Sequence, residues 1–156
     1  MKKSLIVLVL SFIICSSAVQ SQSMGYDYRT ALGVKVGWWG GGSISVKHFI
    51  KDEAALEGLL SFWKNGFNVA GLYEWHGNFA NTNGLKWYVG VGGHIGFYND
   101  KYDNGDGAYF GPDGVLGIDY KFNGAPINLS LDVQPGFDIP GGNFYVWGGL
   151  GIRFAF

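Results

Sequence analysis

Phe144-Tyr145-Val146-Trp147-Gly148-Gly149-Leu150-Gly151-Ile152-Arg153-Phe154-Ala155-Phe156 ends the chain in strict two-residue alternation. Phe144, Val146, Gly148, Leu150, Ile152, Phe154 and Phe156 fall on one face. Tyr145, Trp147, Gly149, Gly151, Arg153 and Ala155 fall on the other. Successive side chains of a β-strand point to opposite sides, so this period specifies a strand with one apolar face. The segment before it repeats the pattern: Ile127, Leu129, Leu131 and Val133 alternate with Asn128, Ser130, Asp132 and Gln134. A strand buried on both faces would be near-continuously apolar instead.

Moving towards the N-terminus, the same period recurs. Leu116, Ile118, Tyr120 and Phe122 oppose Gly117, Asp119 and Lys121; Trp87, Val89, Val91, Ile95 and Phe97 oppose Lys86, Tyr88, Gly90 and His94. Phe67, Val69, Tyr73 and Trp75 oppose Asn68, Ala70, Glu74 and His76. Tyr28, Leu32, Val34, Val36 and Trp38 oppose Arg29, Gly33, Lys35 and Gly37, and a shorter match sets Ile44 and Val46 against Ser45 and Lys47. Asp52 to Trp63 admits two readings. As a helix, Ala55, Leu56, Leu59, Leu60 and Trp63 share a face, with Asp52 as N-cap. As a strand, Leu56, Gly58, Leu60 and Phe62 point outward, Glu57 and Ser61 inward, and Asn65-Gly66 makes the hairpin turn. The strand is preferred, because a helix leaves an odd strand number for a single-chain bacterial barrel.

Turn residues separate the segments at Gly40 to Gly42, Lys51 to Glu53, Asn65-Gly66, Asn81 to Gly84, Asn123-Gly124 and Pro140 to Gly142. One long, acidic connection is expected from about Asn99 to Asp113. Its carboxylates do not follow the EF-hand order, since Lys101 and Tyr102 break the spacing. The N-terminus reads differently. Lys2 and Lys3, the apolar run Leu5 to Ile14 and the small residues Ser16 to Ser21 have the order of a secretory signal, with cleavage expected after Ser21. Residues 22–156 then form one all-β domain, an eight-stranded antiparallel up-and-down barrel.

Composition favours a membrane setting for that barrel. Charged residues are 15% of the chain, against roughly 25% in ordinary soluble domains. Aromatics reach 17% and glycines number 27. In hydrocarbon every backbone group must pair internally, so a sheet spans only when closed on itself. The aromatics also sort into two expected belts. Trp38, Phe62, Trp63, Phe67, Phe97, Phe110, Phe137 and Phe144 gather at one end. Tyr28, Phe49, Trp75, Trp87, Tyr120, Phe122, Phe154 and Phe156 gather at the other.

The inward faces carry Arg29, Lys35, Lys47, Lys86, Lys121 and Arg153 with Glu57, Glu74, Asp119 and Asp132, and with His76 and His94. An eight-stranded interior is only wide enough for side chains, so these groups are expected to pair as a polar plug. Of 11 Lys and Arg residues, Lys2 and Lys3 lie in the leader, leaving a mature chain with more acid than base and no footprint for nucleic acid. Cys15, the sole cysteine, also lies in the leader, so thiolate chemistry is not expected. His48 falls on the opposite face from His76 and His94, which argues against a metal centre, and no cofactor is expected.

The chain resembles the small outer-membrane β-barrel families of OmpX and OmpA transmembrane-domain type. The likeness rests on Ala55-Leu56-Glu57-Gly58, Gly71-Leu72-Tyr73-Glu74, the Gly-Gly-His-Ile-Gly run at Gly92 to Gly96, and the terminal Gly149 to Phe156. It implies a monomer in outer-membrane lipid, inserted by the barrel-assembly machinery through a last strand ending in Phe156. It implies no activity. Two alternatives remain at this level. A secreted lipocalin-like barrel would turn its apolar face inward around a ligand. An outer-membrane lipid-modifying enzyme would use His76 or His94 with a carboxylate or with Ser61 or Ser130.

Overall fold

The computed structural model describes residues 28–38, 41–80, 82–100, 105–139 and 141–156; the leader expected over 1–21 lies outside them. Eight strands follow in order: β1 (Thr30–Gly37), β2 (Gly42–Lys51), β3 (Ala54–Trp63), β4 (Gly66–Asn78), β5 (Leu85–Asp100), β6 (Gly105–Lys121), β7 (Ile127–Asp138) and β8 (Asn143–Ala155). Each pairs antiparallel with the next, and β1 pairs with β8 through Val34↔Ile152 and Val36↔Leu150, closing the barrel. Both ends of the folded chain therefore lie at one rim, here called the base; the opposite rim is the mouth. Asp52 to Trp63 resolves as a two-residue turn and a strand. Its helical spacing loses because β2 and β4 each offer a complete ladder to β3.

The long connection expected over 99–113 is corrected. Asn99↔Asp106 and Asp100↔Gly105 continue the β5–β6 ladder past Gly66↔Tyr98, where β4 begins. Only residues 101–104 lie between the two strands. Glycine and aspartate made this stretch read as a loop, but the glycines have a different use. Tyr109 lies over Gly96 and Tyr98 over Gly107, cross-strand pairs in which a ring covers a residue without a side chain.

That device recurs inside the barrel. Tyr88 covers Gly117, Tyr145 covers Gly136 and the Trp147 indole lies against Gly37. An interior this narrow holds large rings only where a facing residue has no Cβ. A Cβ at Gly117 would stand 2.7 Å from Asp132 Cβ and against the Tyr88 ring. Gly117→Ala is therefore expected to cost about 1–3 kcal/mol, the usual penalty of overpacking. The check is the temperature at which the compact, fast-migrating form in SDS converts to the unfolded band, which should fall.

Alternation sorts the side chains by face. Val36, Val91 and Leu116 on the outer face are 59%, 57% and 57% exposed, whereas inward Lys35, Lys47 and Glu74 are 0% exposed. Apolar groups outside and charges inside reverse the order of a soluble protein. They also reverse what a lipocalin-like carrier of an apolar ligand would need.

Trp38, Phe62, Phe67, Phe97, Phe110, Phe137 and Phe144 are exposed near the mouth. Trp75, Trp87, Phe122, Phe154 and Phe156 are exposed near the base, with Tyr120 half-buried among them. Three aromatics depart from the expected belts. Tyr28 and Phe49 point inward and pack edge to face at 5.3 Å between centroids, closing the base with Ala31, Ala55 and Ala155. Trp63 belongs to the inward row of β3 and meets Tyr109 at the mouth. Phe49 and Trp63 keep the inward parity of their strands in the pairs Phe49↔Ala55 and Trp63↔Gly66, while Tyr28 precedes β1 and turns over the opening.

Candidate functional site in the lumen

Ion pairs fill the middle of the barrel. Lys35 Nζ lies 2.8 Å from Asp132 and 3.6 Å from Glu57. Lys47 Nζ lies 2.7 Å from Glu74, 3.7 Å from Glu57 and 3.9 Å from Asp119, and 4.0 Å from the centroid of Tyr88. Arg153 donates to Glu57 through Nη2, to Ser45 Oγ through Nε (2.7 Å) and to Ser130 Oγ through Nη1 (2.8 Å). His76 Nε2 meets Glu74 at 3.0 Å, and Tyr88 donates its hydroxyl hydrogen to Asp132. Several of these side chains show no solvent exposure at all, so the charges are compensated within the lumen rather than by water.

Other residues expected in this plug are placed elsewhere. Arg29 is exposed, which corrects its lumen assignment. β1 begins only at Thr30, and the bend at Arg29 leaves its guanidinium at the wet rim while Tyr28 turns in. Lys121 is half-buried and donates to the carbonyls of Phe122 and Ala125, capping the β6–β7 turn. Lys86 is half-buried with its ammonium 5.1 Å from the Phe49 centroid.

His94 belongs to a second, separate cluster nearer the mouth. Its Nδ1 lies 3.0 Å from Asp113 and its Nε2 3.1 Å from Asp138, while Tyr145 donates to Asp113 at 2.8 Å. Sequence reading placed Asp113 in a loop and did not single out Asp138, Tyr145 or Tyr109. Inward parity with His94 across paired strands was the available signal.

Above this cluster a cavity of about 340 Å³ opens among the strand ends at the mouth. Trp63, Tyr109, Tyr145 and Trp147 form its walls, and Leu59 and Ala70 line it more deeply. Leu59 and Ala70 also pack with Leu72, Tyr88 and Val115 as one apolar cluster, and Tyr88 reaches the ion pairs. From mouth to base the lumen thus holds a cavity, an apolar layer, an ionic layer and an aromatic floor.

Among the described residues, the two serines of the enzyme alternative bond to other partners. Ser61 accepts a hydrogen bond from Ser43 at 2.8 Å, and Ser130 accepts from Arg153. His76 is sealed within the ionic layer. Among the described residues no group of three His, Cys, Asp or Glu side chains is disposed to hold a metal.

The geometry has a counterpart among solved proteins. The crystal structure of the N-terminal β-barrel domain of OprF from Pseudomonas aeruginosa superposes with a TM-score of 0.65. The match covers 81% of this chain and 94% of that domain, at 20% sequence identity. The two share a fold. No family model and no curated protein matches the sequence.

Proposed function

We propose that the chain is a monomeric integral outer-membrane barrel, closed to solutes along its axis, that presents its mouth as a small binding surface outside the cell. The observation that carries this reading is its sidedness. A band of exposed aliphatics between two aromatic zones surrounds a lumen in which Lys35, Lys47, Glu57, Glu74 and Arg153 are at most 1% exposed. A lipid annulus covers such an outer face, and water has no continuous path through such an interior. The two termini then lie in the periplasm, and the β5–β6 hairpin projects outward. Export through a signal over 1–21, and insertion read from the strand ending at Phe156, belong to the same proposal. Its stated role is structural and binding, with no catalytic step.

The experiment is SDS electrophoresis of the membrane fraction with and without boiling. Faster migration of the unboiled protein, recovered from the membrane pellet, is the expected result. A soluble periplasmic protein with one mobility would refute the reading. In planar bilayers the purified barrel is expected to give no step conductance, and regular channel openings would contradict the sealed lumen.

A further inference from the structure

The mouth cavity has a composition that the closed-barrel role does not explain. Its polar lining comes from several sides at once: Ser43 and Ser61 from β2 and β3, Asn68 from β4, and Gln134 and Asp138 from β7. Gln134 is 5% exposed, and its side-chain carbonyl oxygen has no hydrogen-bond partner among the described residues. A buried amide left so is costly, and Gln134 is one of the residues that line the cavity. The volume, about 340 Å³, lies at the small end of ligand pockets and suits one ring rather than a chain.

We infer that this cavity binds a single neutral sugar unit, a pyranose of the kind carried by surface glycans or free glycosides. Three observations select that chemistry. First, among the described residues no lysine or arginine lines the cavity and Asp138 does, which disfavours anions. Second, Ser43 donates to Ser61 at 2.8 Å and Asn68 to the Tyr109 hydroxyl at 3.5 Å, but an apolar guest would leave the remaining hydrogen-bonding capacity of these groups and of Gln134 unused. Third, an organic cation would meet one carboxylate, already held by His94 at 3.1 Å, and would leave the neutral polar groups unmatched. A pyranose has hydroxyls around its edge for amides and hydroxyls, and C–H faces to lie against the Trp63, Tyr109 and Trp147 rings. His94, fixed between Asp113 and Asp138, is a positioning residue that holds the Asp138 carboxylate at the rim.

The inference rests on the reading of this end as the outward mouth of a membrane barrel. Its test uses the full mature chain refolded in a polyoxyethylene detergent, which carries no sugar headgroup to compete. The unboiled mobility shift is recorded first, and its absence would overturn the membrane reading and the site with it. With the shift present, tryptophan fluorescence is followed during titration with methyl α-glucopyranoside and methyl α-galactopyranoside. Tetramethylammonium chloride and sodium phosphate are run as controls. A saturable change with at least one glycoside and none with the controls is expected. Gln134→Leu should weaken that response about tenfold, the ordinary effect of one lost hydrogen bond, while keeping the mobility shift. No saturation by either glycoside, saturation by tetramethylammonium instead, or an unchanged Gln134→Leu response would each overturn the sugar site and leave the membrane reading intact.

Discussion

Arg153→Met is expected to destabilise the barrel by about 3–5 kcal/mol, the cost of removing one partner from a buried ion pair. Arg153 satisfies Glu57, Ser45 and Ser130 simultaneously and is 1% exposed. Its loss leaves Glu57 with Lys35 at 3.6 Å, Lys47 at 3.7 Å and the Ser45 hydroxyl at 2.7 Å. The single change removes one cation from a network in which Lys35, Lys47 and Arg153 face Glu57, Glu74, Asp119 and Asp132. Adding Glu57→Met removes the carboxylate that Arg153 held. The double variant should therefore recover most of the lost stability, since an apolar pair of similar volume replaces a buried salt bridge at little cost. Urea titration of the barrel folded in lipid vesicles measures both. A single variant as stable as the parent would show that Arg153 is not held in the interior by these partners.

Leu150→Arg should cost about 2–4 kcal/mol in a bilayer, the penalty for a cation on the lipid face near the midplane. Leu150 is 47% exposed and lies opposite Val36 on one side and Leu131 on the other, well inside the two aromatic zones. The same substitution on a water-facing sheet would change stability by no more than about 0.5 kcal/mol. The two outcomes separate a lipid-covered outer face from a wet one. Unfolding from vesicles by urea, compared for Leu150→Arg and Leu150→Ala, distinguishes the charge from the lost volume. Equal values for both would contradict the membrane placement.

Legibility in the sequence followed the length over which alternation could act. In β7 and β8 the period runs through a dozen residues, and the predicted faces agree with the burial of Asn128, Ser130, Asp132 and Arg153. Near the rims it failed. Tyr28 turns inward and Arg29 outward, each against its parity, whereas Phe49 follows the inward parity of Ser45 and Lys47 and only its aromatic character suggested a belt. A strand's period constrains a side chain only while ladder pairs on both sides hold the backbone. The acidic stretch from Asn99 to Asp113 misled for another reason: glycines that suggested a loop make room for Tyr98 and Tyr109 in a paired hairpin.

The sequence by itself determined which face of each strand is apolar and that charged groups must be enclosed; the eighth strand, over Asp52 to Trp63, it left open against a helix. Those properties are local, repeated every two residues, and need no knowledge of which strands are neighbours. Tertiary structure alone decided who meets whom. Arg153 reaches Ser45 and Glu57 across separations of 108 and 96 residues, and Asp138 meets His94 across 44. It also decided that the lumen is layered, with ion pairs in the middle and an aromatic-walled cavity at the mouth. Closure of eight strands into so narrow a barrel brings remote side chains within hydrogen-bond distance. Register and shear then select the partners, and neither is written in the alternation itself.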